Sequence, residues 1–299
     1  MNQLNLQKIK QEKPIQELIN FSILNIDKPA GCTSFDVVNH VRKSLGLEKC
    51  GHFGTLDPQV TGVLPICLEK ACKIQEYFMH RDKTYIGTMK LHKDVTRKKL
   101  EEEMKKFLGV INQLPPRISR VKRQVRQREI MEFKITSFDA KKREVGFISK
   151  VEAGTYIRKL IDDLGKNIGG AQMISLRRLQ AGLFSDKDKE FVNLDKFKEA
   201  VEKYKNGDEK ELRKLLVPAE IIIRLIPAIE LKEDCLDRLK HGSPIFKNMI
   251  PEKYYTKIIK VIDTKEPFAI IVDKKMIEIA KWSDHFENKE IVAKPSVVI

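Results

Sequence analysis

The sequence has few of the residues on which metal and disulfide frameworks depend. Its 299 residues include five cysteines, and no two of them form a C-x-x-C pair. That spacing argues against a structural zinc site, and an odd number of scattered cysteines fits a reducing compartment. We therefore do not expect a structural zinc site.

Long apolar segments are also absent. No run of about 18 apolar residues exists to span a bilayer, and residues 1–18 contain no apolar core of the kind found in a signal peptide. These absences exclude the usual membrane and secretory classes, and we expect a cytoplasmic protein.

Acidic residues are in deficit. The chain has 42 aspartates and glutamates against 57 lysines and arginines, with a net charge of +15 and a pI of about 9.4. This balance favours a polyanionic partner, of which nucleic acid is the commonest, over the alternative of a merely lysine-rich surface. The 41% of hydrophobic residues is enough to build a folded core.

Periodicity predicts helices mixed with mostly antiparallel strands, an α+β architecture rather than a regular βαβ alternation. The helix that begins at Thr33 or Ser34 is predicted to bury Phe35, Val38, Val41 and Leu45 on one face. The character of the sequence changes near Pro218–Pro227, after which short strand-like runs dominate. We predict a basic extension over 1–20, a large domain of mixed helices and strands over 21–225 and a small β-rich domain over 226–299.

The segment GHFGTLDPQVTG, residues 51–62, places one acid, Asp57, in a glycine-rich loop. An aspartate before proline is a common turn former, which is the simplest interpretation. However, glycines allow backbone to approach a ligand closely, and no lysine or arginine lies within six residues of Asp57. A lone carboxylate can act as a general base or a nucleophile, and it then needs a distant cation. Arg158, early in a predicted helix, is the candidate.

A second segment, RISRVKRQVRQR, has six basic residues in twelve and no acid. It predicts a phosphate-binding surface, with a solvated charged strand as the alternative. Tyr85 and Tyr156 are candidates for stacking on a base, although strand tyrosines are more often part of a core. The basic residues in the segment are Arg117, Arg120, Lys122, Arg123, Arg126 and Arg128.

Taken together, these motifs resemble the TruB-type RNA pseudouridine synthases, and most closely the guide-RNA-dependent, dyskerin-like branch of archaea and eukaryotes. The resemblance depends on six segments in the same order. They are DKPAGCTS, GHFGTLDPQVTGVLPICLEKACK, KTYIGTMKLH, PPRISRVKR, VEAGTYIRKLIDDLG and SLRRLQAG. It implies a catalytic domain with a mixed, mostly antiparallel central sheet flanked by helices, followed by a small β-barrel PUA domain.

The resemblance also implies roles for individual residues. Asp57 matches the catalytic aspartate, and Arg158 matches its salt-bridge partner. Tyr85 matches the tyrosine that stacks on the target uracil and takes the C5 proton. The remaining matches are Tyr156 in the pocket, His52 beside the flipped nucleotide, Leu176 as an apolar wall and Lys28 of the K-P motif. Phe53 departs from the pattern, since a small residue is usual there.

The implied activity is the isomerisation of uridine in RNA to pseudouridine, without cofactor or metal. In the guide-dependent form the partners are an H/ACA guide RNA, a small zinc-bearing protein, a β-barrel protein that helps substrate turnover and a kink-turn-binding protein. The substrate is then rRNA and in some cases tRNA. Two alternatives stay open: a stand-alone enzyme for the TΨC loop of tRNA, and an RNA-binding scaffold without catalysis.

Overall fold

A computed structural model describes residues 4–115, 122–252, 266–282 and 291–299. The helices in these ranges are α1 Leu6–Glu12, α2 Ile15–Asn20, α3 Ser34–Leu45, α4 Gln75–Met79, α5 Arg97–Lys105, α6 Ile157–Ile168, α7 Leu194–Lys205, α8 Lys210–Leu215 and α9 Leu236–Lys240. The strands of the first 200 residues are β1 Ser22–Lys28, β2 Cys50–His52, β3 Thr61–Leu68, β4 Lys83–Leu91, β5 Gly109–Gln113, β6 Arg126–Asp139, β7 Glu144–Val151, β8 Ala171–Ala181, β9 Phe184–Ser185 and β10 Val192–Asn193. They are followed by β11 Leu216–Pro218, β12 Ala228–Glu230, β13 Ile245–Phe246, β14 Phe268–Val272, β15 Lys275–Trp282 and β16 Ile291–Val298.

The chain divides into two compact units, of which the larger comprises residues 24–67 and 78–215. Its sheet has the order β10-β1-β3-β8-β4-β7-β6-β5, with β2 beside β3 and β9 beside β8. The β4, β5, β6 and β7 pairings are antiparallel, whereas β3 pairs with β8 in parallel. The sheet is therefore mixed and mostly antiparallel, which confirms the predicted fold class.

Helix α3 shows where periodicity was right and where it was wrong. Thr33 caps it with a complete capping box, and Gly46 ends it in the left-handed conformation, with φ of 67°. Val37, Val38 and Val41 are buried. Phe35, predicted to share the buried face, is 71% exposed. The prediction failed because Phe35 lies in the first turn, where the buried stripe is carried by Ser34 and Val37 instead.

The smaller unit comprises residues 1–23, 68–77 and 216–299, described within the ranges above. Residues 4–20, expected to be an extension, contain α1 and α2, where Leu18 and Ile19 are buried. Lys13 forms an ion pair with the buried carboxylate of Glu220. A second sheet, in the order β12-β14-β15-β16-β13, surrounds a core that includes Phe268 and Ile270. The predicted strand run TKIIKVIDT lies outside the described residues.

Within the described ranges, every helix is too short or too polar to cross a membrane.

Candidate active site

The centre of the site is an ion pair that joins two distant parts of the larger unit. A guanidinium nitrogen, Nη2, of Arg158 donates a hydrogen bond to Oδ2 of Asp57. Arg158 is in the first turn of α6, and Asp57 lies in the loop between β2 and β3. Both side chains are about half exposed, at 56% and 54%. The carboxylate is thus held in direction by the guanidinium and is open to solvent.

The backbone around Asp57 is held by hydrogen bonds rather than by side-chain packing alone. Leu56 donates its N–H to the hydroxyl of Ser34 at 2.8 Å, and that hydroxyl lies 3.1 Å from the Leu56 carbonyl oxygen. The N–H of Val60 closes a turn on the Asp57 carbonyl at 2.9 Å. These bonds connect the loop to the start of α3, so Asp57 projects from a rigid support.

Lys28 supports the same loop from below. Its side chain is fully buried, and its ammonium group donates to the carbonyls of Pro29, Pro58 and Val60 at 2.8, 3.0 and 2.9 Å. Burial lowers the pKa of Lys28. An ammonium group has three protons to donate, and all three are used by the backbone.

Arg178 of β8, which the sequence did not single out, holds the first half of the loop. It is 1% exposed. Its Nε donates to the carbonyl of Val63 at 2.8 Å and its Nη2 to that of Gly54 at 3.0 Å. Gly54 has φ of 128°, a conformation that disfavours any other residue.

His52 lies beside this arrangement. Its Nδ1 accepts the N–H of Gly54 at 3.2 Å. Burial, and to a lesser degree the charge of Arg178, lowers the pKa of His52, which keeps the imidazole neutral near pH 7. With Nδ1 as the acceptor, the proton is on Nε2, which is the group free to donate.

Lys83, at the start of β4, is a second buried cation near Gly54. It is 5% exposed and donates to the carbonyls of Met79 and Arg81. Burial first, and then the charge of Arg178, lower the pKa of Lys83 to about 8. A Cβ atom on Gly54 would lie 3.8 Å from the Lys83 side chain, so both cations approach the same glycine.

Phe53 is explained by the core beneath the loop. It is 1% exposed and stacks on Phe78, with ring centroids 4.6 Å apart and planes inclined by 5°. Phe184 lies against both rings, at 5.8 and 6.0 Å. The bulky side chain is thus buried and anchors the loop in an aromatic cluster.

Tyr85 and Leu176 lie on one face of the sheet. Tyr85 pairs with Arg178, and Gly87 pairs with Leu176, across β4 and β8. Residues paired directly across strands have side chains on the same face. A Cβ atom on Gly87 would come within 3.0 Å of Leu176, so the missing side chain makes room for it. Tyr85 and Leu176 are both 8% exposed.

Tyr156 is the residue immediately before α6 and precedes Arg158 by two positions. Its backbone is bound by the side chain of Gln113, at the end of β5. The sequence did not identify Gln113, because an isolated glutamine next to a proline-rich segment has no chemical signature.

The basic segment is only partly described. Arg117 and Arg120 lie outside the described residues. Lys122 and Arg123 are exposed, while Arg126 and Arg128 are in β6 and half-buried. The Nε atoms of both arginines are buried, without a hydrogen-bond partner among the described residues.

Comparison with known proteins places the chain in a family. The model of the TruB family pseudouridylate synthase N-terminal domain matches residues 42–157, and that of the tRNA pseudouridylate synthase B C-terminal domain matches residues 158–224. A probable tRNA pseudouridine synthase B of Methanopyrus kandleri is 44% identical over 78% of this chain and 68% of its own length. One of Sulfurisphaera tokodaii is 36% identical over 96% of this chain and 85% of its own.

The chain belongs to the TruB family of pseudouridine synthases. It is therefore an isomerase, as the resemblance implied.

Solved structures agree with this placement. The chain is similar to that in the crystal structure of a Cbf5-Nop10-Gar1 complex, with a TM-score of 0.83 and 33% identity over 97% of this chain and 88% of the other. It is also similar to that in an H/ACA RNP bound to a substrate RNA containing 2′-deoxyuridine, with a TM-score of 0.80, 31% identity and the same coverage. The dyskerin-like branch is thus supported by the fold as well as by the motifs.

Proposed function

We propose that Asp57 is the carboxylate with which this pseudouridine synthase isomerises uridine within RNA. The observation that carries the proposal is the Asp57–Arg158 ion pair, formed across 101 residues on a loop held by backbone hydrogen bonds. A half-exposed pair contributes little to stability, so its value lies in aiming the carboxylate.

The reaction breaks the C1′–N1 bond of uridine and forms a C1′–C5 bond. C5 loses its proton and N1 gains one, so the product is an isomer of the substrate. The base must leave the helical stack to reach Asp57. In this proposal Tyr85 stacks on the extruded uracil and accepts the C5 proton, and Leu176 forms the apolar wall beside it. Tyr156 lines the pocket.

His52 and Lys28 have different parts. The Nε2–H of neutral His52 is available to donate a hydrogen bond to the extruded nucleotide. Lys28 acts indirectly, because its ammonium group is consumed by the loop backbone. The basic residues Arg126 and Arg128, together with those of the same segment, bind RNA phosphates in this proposal through the charge of their guanidinium groups.

We further propose that the chain is the catalytic subunit of an H/ACA guide-RNA ribonucleoprotein acting on rRNA and also on tRNA. The two solved complexes above support this assignment through their similarity to nearly the whole chain. The partners are then a guide RNA, a small zinc-bearing protein, a β-barrel protein and a kink-turn-binding protein. Residues 226–299 are proposed to form the RNA-binding PUA domain, with 21–225 as the catalytic domain.

A stand-alone tRNA enzyme is the second candidate, favoured by the names of the curated relatives. Purified protein is incubated with a tRNA transcript, with and without guide RNA and partner proteins, and pseudouridine is mapped chemically. Conversion only with the guide supports the particle, whereas full conversion without it supports the stand-alone enzyme.

Asp57→Ala is the variant that tests catalysis itself. We expect RNA binding to persist and pseudouridine formation to stop. Modification by Asp57→Ala equal to that by the unchanged protein would refute the assignment of Asp57. Binding without modification by either protein would support a scaffold instead.

A further inference from the structure

The side chain of Gln113 makes a two-bond contact with the start of the helix that carries Arg158. Its Oε1 accepts the N–H of Tyr156 at 3.0 Å, and its Nε2 donates to the carbonyl of Tyr156 at 3.2 Å. Gln113 is 2% exposed. One amide therefore satisfies both backbone groups of a single residue, in the manner of a neighbouring strand.

This contact holds the N-cap residue of a helix that lacks a side-chain cap. Tyr156 is the N-cap residue of α6, and its side chain makes no capping hydrogen bond. Its carbonyl also accepts the first helical bond, from Leu160 at 3.0 Å. The first N–H groups of a helix have no partner within it, so its beginning depends on groups from outside. Gln113 fixes the backbone two residues before Arg158.

The other side of Gln113 faces the proposed RNA-binding strand. Gln113 pairs with Arg126 in the β5–β6 ladder, and Ile111 pairs with Arg128. Gln113 thus connects a strand that carries phosphate-binding candidates to the helix that carries the partner of Asp57. Two elements distant in sequence, residues 109–113 and 157–168, meet at this amide.

We propose that Gln113 is a positioning residue for pseudouridine formation. Its amide holds the Tyr156 backbone and so sets the direction from which Arg158 reaches Asp57. This proposal rests on the catalytic roles assigned to Asp57 and Arg158 above. Gln113 itself touches no reacting atom.

Two substitutions separate this role from general stability. Gln113→Met has a similar volume and removes both bonds without adding a charge. Gln113→Glu keeps an acceptor for the Tyr156 N–H and loses the donor to its carbonyl. Asn112→Ala is the control, because Asn112 is the exposed neighbour on the same strand and pairs only with Gln127 in the β5–β6 ladder.

The first measurement is the single-turnover rate of pseudouridine formation together with the Kd for substrate RNA. We expect Gln113→Met to lower the rate by about tenfold to a hundredfold, since misplacement of a remote group has effects of that size, while Kd changes less than about twofold. In a protein that already carries Arg158→Lys, we expect Gln113→Met to lower the rate by less than about a further twofold, because the effects of two coupled residues are not additive. An equal reduction in rate by Gln113→Met in the presence and absence of Arg158→Lys would overturn the proposal.

The second measurement does not depend on activity. Hydrogen exchange of a peptide covering residues 153–162 should accelerate about tenfold or more in Gln113→Met, with little change elsewhere and none in Asn112→Ala. If exchange there is unchanged, Gln113 does not position α6. If exchange accelerates but the unchanged protein makes no pseudouridine, the placement of α6 stands and the proposed function fails.

Discussion

Replacing Arg158 with methionine should separate activity from stability in this enzyme. The Asp57–Arg158 pair is half exposed on both sides, and such pairs contribute roughly 0–1 kcal/mol to the free energy of unfolding. For a protein of this size, 1 kcal/mol corresponds to about 2–4 °C in Tm. The loop backbone keeps its bonds to Ser34 and Lys28 in the variant. We therefore expect Tm to fall by less than about 4 °C.

The loss of activity should be far larger. Without the guanidinium, the carboxylate of Asp57 loses the hydrogen bond that holds its direction. Removal of a single preorganised electrostatic group typically lowers kcat by about a hundredfold to a thousandfold. Arg158→Lys keeps the charge but not the planar geometry of a guanidinium. We expect its kcat to lie between that of the unchanged protein and that of Arg158→Met.

Arg178→Met is the matched comparison, because this arginine is buried and bonded to Val63 and Gly54. Two carbonyls would lose their donor, at a cost of about 2–4 kcal/mol in total. The pKa values of Lys83 and His52 should rise, since the charge of Arg178 lowers both. Thermal denaturation measures the stability of the two variants, single-turnover kinetics measures their activity, and NMR titration measures the pKa values of Lys83 and His52. A loss of 3 kcal/mol or more in Arg158→Met, or activity retained within a factor of three, would refute the reasoning.

Three other substitutions test the support of the site and the second sheet. Phe53→Ala should lower the free energy of unfolding by about 3–5 kcal/mol, because the Phe53 ring is buried. Phe35→Ala should change it by less than about 0.5 kcal/mol, because the Phe35 ring is 71% exposed. Equal effects of the two substitutions in urea denaturation would contradict the assigned environments. Gly62→Ala should prevent stable folding, because φ at Gly62 is 103° and a Cβ atom would lie 2.2 Å from the Arg178 carbonyl oxygen. Circular dichroism measures the folded content. A folded, active variant would contradict this prediction and show that β3 and β8 can separate. Glu278 is fully buried, and burial raises its pKa to about 7 from 4.5. The folded state therefore binds the proton more tightly than the unfolded state. The stability that this one group contributes is fully present below pH 4.5 and is lost as the pH rises through about 7. Between pH 5 and 8 this loss is about 2–3 kcal/mol, and Glu278→Gln should abolish it; an unchanged pH dependence of the urea midpoint would disprove the assignment.

Local patterns predicted most of the elements that position the site. The apolar residues Ile157, Leu160, Ile161 and Leu164, spaced for a helix, are all buried in α6. KTYIGTMKLH likewise alternates in the way expected of a strand, and every second residue of the β4 strand that it forms is buried. These predictions succeeded because a helix or strand with one buried face carries that periodicity in its own sequence.

Phe35 and Phe53 show the limit of the same reasoning. Periodicity placed Phe35 in the core, yet it is exposed, because the first turn of α3 faces its neighbours with Ser34. Phe53 had no explanation as a loop residue. Its partners Phe78 and Phe184 are 25 and 131 positions away along the chain, so only the folded sheet shows the cluster.

For the site, the sequence by itself determined the chemical groups. A lone Asp57 among glycines and an unpaired Arg158 in a helix start indicated a carboxylate with a remote cation, and the structure joins them. Tertiary structure alone decided which groups hold these two in place: Arg178 and Gln113 bind backbone carbonyls and N–H groups of segments far from them in sequence. The physical reason is that every residue offers the same backbone groups, so a side chain that binds them leaves no pattern in the sequence of its partner.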